Sequence, residues 1–160
     1  MKRFAAIGAA AVMLMLAAAP AHADATAFLG ANLSPANRQV RGFAVGIGLV
    51  LVGFEFEFAN TTDDPTVHAP SLTTGMGNVL LQSPFPLFGI QPYVTAGGGV
   101  YRETLDLRQN TSVGVNTGGG VKVDLVGPLR LRIDYRFFKL GSGALNPSAH
   151  RIYAGLNLKF

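Results

Sequence analysis

Apolar and polar residues alternate along most of this chain, and past its first two dozen residues nothing repeats at helical spacing. The alternation is cleanest in LRLRIDYRFFKL, residues 129–140. Leu129, Leu131, Ile133, Tyr135 and Phe137 take one set of positions; Arg130, Arg132, Asp134 and Arg136 take the other. Successive side chains of a strand point to opposite sides, so these sets are two faces. A soluble protein turns the charged face to water. A membrane barrel turns the apolar face to lipid and encloses the charges.

The same period recurs elsewhere. In GFAVGIGLVLVGF, Gly42 to Phe54, the residues Phe43, Val45, Ile47 and Leu49 oppose Gly42, Ala44, Gly46 and Gly48, and the pattern continues as Phe54, Phe56 and Phe58 against Glu55 and Glu57. Thirteen residues with four glycines are too short and too poor in helix formers for a spanning helix, which needs about 20. They read as two strands joined by a tight turn near 49–51. Over 111–125, Val113, Val115, Val121, Val123 and Leu125 oppose Gly114, Asn116, Gly118, Gly120, Lys122 and Asp124. Over 151–160, Ile152, Ala154, Leu156, Leu158 and Phe160 oppose Arg151, Tyr153, Gly155, Asn157 and Lys159.

Marking every such run predicts eight strands, near 25–33, 41–49, 52–60, 71–82, 89–104, 111–125, 129–140 and 150–160. The first, fourth and fifth carry glycine, threonine and small apolar residues on both sides, so their facing is open. The connections alternate in character: polar stretches at 34–40, 61–70, 105–110 and 141–149, and tighter apolar or proline-bearing ones near 50, 83–88 and 126–128. Long and short connections over an even number of strands are the plan of an outer-membrane barrel. The predicted fold is therefore all-β, an eight-stranded antiparallel up-and-down transmembrane β-barrel.

Two physical arguments favour enclosed charges. With the polar row in water, Gly46, Gly48, Gly114, Gly118 and Gly120 would sit exposed mid-strand, where glycine weakens a strand and packs nothing. Inside a narrow barrel they leave room for long side chains. An arginine or lysine on the lipid face at the bilayer midplane costs about 2–4 kcal/mol, and the 129–140 strand has three arginines in one row. The inward set is then Glu55, Glu57, Asp124 and Asp134 with Lys122, Arg130, Arg132, Arg136, Arg151 and Lys159. Both signs are present, so ion pairs can fill a lumen that in an eight-stranded barrel is just wide enough for its side chains.

The N-terminus bears on location. Met1-Lys2-Arg3, an apolar run from Phe4 to Ala19, Pro20 and an Ala21-His22-Ala23 cleavage site make residues 1–23 a secretory signal peptide, with 24–160 the barrel domain. Loss of Lys2 and Arg3 lowers the formal charge from +4 to +2, and no basic cluster remains to hold nucleic acid. With no cysteine and only His68 and His150 beyond the leader, disulfide and thiol chemistry are excluded, and no ligand cluster calls for a metal or other cofactor.

QPYVTAGGGVY, VNTGGGVKVD and the closing Tyr153-x-Gly155-x-x-Leu158-x-Phe160 resemble the small eight-stranded outer-membrane barrels of Gram-negative bacteria, of the OmpA-transmembrane-domain and OmpX type. The resemblance spans the whole of 24–160. It implies a monomer among outer-membrane lipid and lipopolysaccharide, a partner in the barrel-assembly machinery, and a structural or surface-interaction role through its loops. It also implies that the machinery reads the terminal strand through Gly155 and Phe160; Leu158 stands where an aromatic is common.

Three other function classes make different demands on these residues. A soluble periplasmic lipocalin-like binder of an apolar ligand needs an apolar interior, so it fails if Arg130, Arg132 and Arg136 line the lumen. A narrow channel needs an unfilled lumen. A lipid A-modifying barrel enzyme would use a His and Ser two residues apart; Ser148 and His150 have that spacing in reversed order, at a loop edge. The paired Glu55 and Glu57 read as lumen carboxylates rather than an acid/base pair, the Gly97–Gly99 and Gly118–Gly120 runs as close strand packing, and Thr61 to Asp64 as a solvated loop. Deleting Phe160 is expected to slow acquisition of the heat-modifiable folded form in pulse–chase while leaving export unchanged.

Overall fold

The computed structural model describes residues 22–105 and 108–160. Of the expected leader, only His22 and Ala23 fall among them; they open the first strand. Eight antiparallel strands follow in chain order: β1 His22–Asn32, β2 Arg38–Gly48, β3 Val52–Thr61, β4 Ser71–Gln82, β5 Ile90–Leu105, β6 Arg108–Val126, β7 Leu129–Leu140 and β8 Ser148–Lys159. Each pairs with the next, and β8 pairs with β1, closing the barrel. Ala23, the last residue of the expected leader, exchanges backbone bonds of 2.9 Å with Phe160, and from Asp24 with Lys159 onward the seam is made wholly by residues outside that leader.

The registers fix the geometry. Paired residues run from Val121 through Ile133, Ala154, Leu29, Arg41, Asn60, Thr73 and Arg102 back to β6 at Thr111, ten positions from the start (121 less 111). For a rise of about 3.3 Å and a strand spacing of about 4.8 Å, a shear of ten over eight strands inclines them by about 40°.

The turn end carries the connections 49–51, 83–89 and 127–128; the loop end carries 33–37, 62–70 and 141–147. The length contrast is weaker than the sequence suggests, since 83–89 is as long as 141–147. Within the polar stretch 105–110, Leu105 closes β5 and Arg108, Gln109 and Asn110 open β6, and the two strands pair as far as Leu105 with Arg108 as a long ribbon. Polar side chains there mark strand beyond the apolar belt, which composition alone reads as loop.

The facing left open by the sequence is resolved. Thr26, Phe28 and Asn32 of β1, Leu72, Thr74, Met76, Asn78 and Leu80 of β4, and Tyr93, Thr95, Tyr101 and Glu103 of β5 are buried in the lumen. The outside bears Leu29, Phe43, Val45, Ile47, Phe54, Phe56, Val94, Val100, Ile133, Tyr135, Leu156 and Phe160, each roughly half exposed or more. The glycine runs lie where strands come closest. A Cβ on Gly99 would stand 2.0 Å from the Gly75 carbonyl oxygen, and one on Gly118 2.1 Å from that of Tyr135.

Candidate functional site

The lumen holds the densest chemistry in the molecule. Inward positions of β3, β7 and β8 bring Glu55, Glu57, Arg132, Asp134, Arg136 and Arg151 together, all buried. Glu55 accepts from both Nη atoms of Arg132, one at 3.2 Å, and from Arg136 Nη2 at 2.9 Å. Asp134 accepts from Arg132 Nη2 at 3.0 Å and Arg136 Nε at 2.9 Å. Glu57 lies 3.3 Å from Arg136 Nη2 and accepts from Arg151 Nη1 at 3.1 Å. Three guanidinium groups thus face three carboxylates, and the cluster is neutral.

That balance matters because burying an ion costs several kcal/mol unless partners and hydrogen bonds compensate it. Remaining donors are taken by neutral groups. Arg132 Nε donates to the Tyr93 hydroxyl at 2.7 Å, and that hydroxyl donates to Asp134. Arg151 Nε donates to Asn32 Oδ1 at 3.3 Å, and its guanidinium lies 4.4 Å from the Phe138 ring centroid.

A second charged group lies nearer the turn end. Lys122 Nζ and Arg130 Nη2 both reach Asp24 Oδ2, at 2.5 Å and 3.3 Å, while Arg130 Nε donates to Asn157 Oδ1 at 2.8 Å. Sequence reasoning missed Asp24 because its strand has small residues on both faces. The same ambiguity hid Tyr93.

Asp124 departs from the ion-paired lumen that the alternation predicts: it is exposed and has no salt bridge among the described residues. The register shifts between Asp124 and Val126, a bulge that leaves the carboxylate at the open rim. With Lys159 it lines a vestibule of ≈ 330 Å³ at the turn end. Between this vestibule and the neutral cluster, a space of ≈ 10 Å³ lined by Asp24, Glu55, Leu80, Gln82 and Lys122 is at the lower limit for one water.

The lumen is also less uniformly polar than the alternation suggests. Toward the loop end Leu72, Met76, Tyr101, Phe138, Leu140 and Ala149 form an apolar plug, and Phe28, Val40, Ala59 and Tyr153 form another. Tyr153, expected to belong to the assembly signal, points inward. Its ring stacks on Phe28 at 4.0 Å, and its hydroxyl donates to Glu57 Oε2 at 3.1 Å. Gly155 gives this stack its space, because a Cβ there would stand 2.8 Å from Phe28 Cβ. Leu158 and Phe160 face outward.

Ser148 and His150 lie on the outer side of β8, where His150 Nδ1 is 2.6 Å from the Tyr135 hydroxyl. In the 62–70 loop, the Asp64 carboxylate caps the short 3-10 turn Pro65–Val67, accepting from the Thr66 hydroxyl at 2.6 Å and its N–H at 3.0 Å. Those bonds hold its pKa below the ordinary carboxylate value.

No protein-family model matches the chain, and no curated protein sequence matches it. Solved structures do. The N-terminal β-barrel domain of Pseudomonas aeruginosa OprF superposes with a TM-score of 0.66 at 16% identity, over 87% of this chain and 97% of that one. Neisserial surface protein A gives 0.68 at 18%, over 88% and 96%. The outer membrane enzyme PagL gives 0.51 at 11%, over 84% and 98%.

Breaking the cluster should be costly in a defined way. Arg132→Met is expected to lose about 3–5 kcal/mol, as for other buried pairs with one partner removed. The double variant with Glu55→Gln should lose less than the sum of the singles, read from urea unfolding of the refolded protein in micelles.

With its closed ring of eight antiparallel strands, apolar outside and ion-paired inside, the chain has the fold of the small eight-stranded outer-membrane β-barrels.

Proposed function

We propose that this chain is an integral outer-membrane barrel of a Gram-negative bacterium, exported with a cleaved leader, whose work is structural or interactive. It stiffens the envelope and presents its loop end, with the projecting β5–β6 ribbon, to partners outside the cell. The observation that carries this reading is the facing of β7: Arg132 and Arg136 are sealed in the lumen while Ile133 and Tyr135 are exposed. An apolar surface running round the barrel far exceeds the few hundred Å² that soluble monomers expose, and hydrocarbon is the solvent that suits it.

The lumen argues for this role over the alternatives. An interior filled by arginine–carboxylate pairs suits neither the apolar ligand of a lipocalin-like binder nor a channel, since the space beside the cluster narrows to ≈ 10 Å³. A catalytic reading of Ser148 and His150 lacks, among the described residues, a carboxylate bonded to the imidazole, whose Nδ1 instead meets the Tyr135 hydroxyl. The enzyme among the similar structures shares the fold, and fold alone does not carry activity. In this reading the barrel-assembly machinery engages β8 through the outward Phe160, and the protein stands as a monomer among outer-membrane lipid and lipopolysaccharide.

Fractionation should recover the protein in the outer membrane, released only by detergent; recovery in the soluble periplasm would end the proposal. In planar bilayers it should give no large stable conductance steps, and their appearance would contradict the sealed lumen.

A further inference from the structure

The outer wall carries a furrow of ≈ 880 Å³ across β1. Its floor is Ala27, whose cross-strand partners are Phe43 on one side and Leu156 on the other. Phe43 is backed by Phe58, ring centroids 5.7 Å apart, and Leu156 by Leu131. One small residue between two bulky walls leaves a channel in an otherwise rough apolar surface, and Ala154 extends the floor toward the loop end.

What closes the furrow there is polar. The next register row runs Ala154, Leu29, Arg41, Asn60 and Thr73. Arg41 and Asn60 line the furrow, and Asn60 Nδ2 donates to Thr73 Oγ1 at 3.0 Å. Arg41 is exposed on the outer face and has no salt bridge among the described residues. An unpaired guanidinium at the edge of an apolar belt calls for an anion at headgroup depth.

We infer that this furrow is a binding site for one phosphorylated lipid A, an acyl chain lying over Ala27 between Phe43 and Leu156 and a phosphate oxygen accepting from Arg41, beside the Asn60 amide. The inference rests on the membrane reading above, which turns the loop end to the outer leaflet where lipid A resides. Charge decides the occupant: a guanidinium pairs with phosphate in forked geometry. A twofold contact between copies would instead set the same positive patch on both sides.

The test uses the full folded barrel in detergent, titrated separately with bisphosphorylated lipid A and with phosphatidylglycerol and read by native mass spectrometry. Wild type is expected to bind one lipid A in preference to phosphatidylglycerol. Arg41→Gln should weaken that binding at least tenfold through the phosphate, and Ala27→Phe and Ala154→Leu should weaken it similarly by filling the floor, with heat-modifiability unchanged in each.

Equal capture of both lipids, binding indifferent to Arg41→Gln, or a dimer abolished by Ala27→Phe would overturn the site. So would a membrane-inserted wild type that binds no lipid A, an outcome that leaves the barrel proposal standing. Recovery of wild type from the soluble fraction would remove the barrel proposal itself.

Discussion

The mutual neutralisation of three arginines and three carboxylates inside a narrow ring is the interaction on which the rest of this structure depends. Arg132, Arg136 and Arg151 are fully buried, and each would be prohibitively costly to enclose alone. Glu55 and Asp134 each serve two of them, and Glu57 lies against Arg136 and Arg151. Because these groups come from β3, β7 and β8, the cluster ties together strands far apart round the ring. A slip of one residue in any of them would turn its charges outward and its apolar row inward.

Enclosing such large groups sets a space constraint that the small inward residues answer. Tyr93 fits because a Cβ on Gly120 would come within 2.6 Å of its hydroxyl, and Phe28 because Gly42 leaves its ring tip free, where a Cβ would sit 2.5 Å away. The lumen is therefore filled by alternating large and small partners, polar at mid-height and apolar toward the loops. With most of the charges of the barrel wall paired inside, its exterior is mainly apolar, and Arg41, Arg102 and Lys139 are exposed cations toward the loop end, Arg41 being the one beside the β1 furrow.

Much of this was legible in the sequence. Period-two alternation identified β2, β3, β6, β7 and β8, and the cost of a lipid-facing arginine chose their inward side. Strands β1, β4 and β5 could be located but not oriented, because Ala, Gly and Thr suit either face. Orientation there comes from partners: Asp24 is drawn inward by Lys122 and Arg130, and Tyr93 by Arg132 and Asp134. The position of Asp124 was misread because a bulge at a strand end leaves no mark in an alternating pattern. The inward Phe138 and Leu140 continue the period of β7, yet their chemistry suggests the opposite face. The furrow needed the register that sets Ala27 between Phe43 and Leu156, which no single strand reveals.

The most direct test of the facing is nuclear magnetic resonance of methyl-labelled protein in protonated detergent. Methyl groups of Val45, Leu131, Ile133 and Leu156 should show intermolecular Overhauser effects to detergent chains, while those of Leu72, Met76 and Leu80 should show none. The reverse pattern, with detergent touching the second group and not the first, would contradict the account.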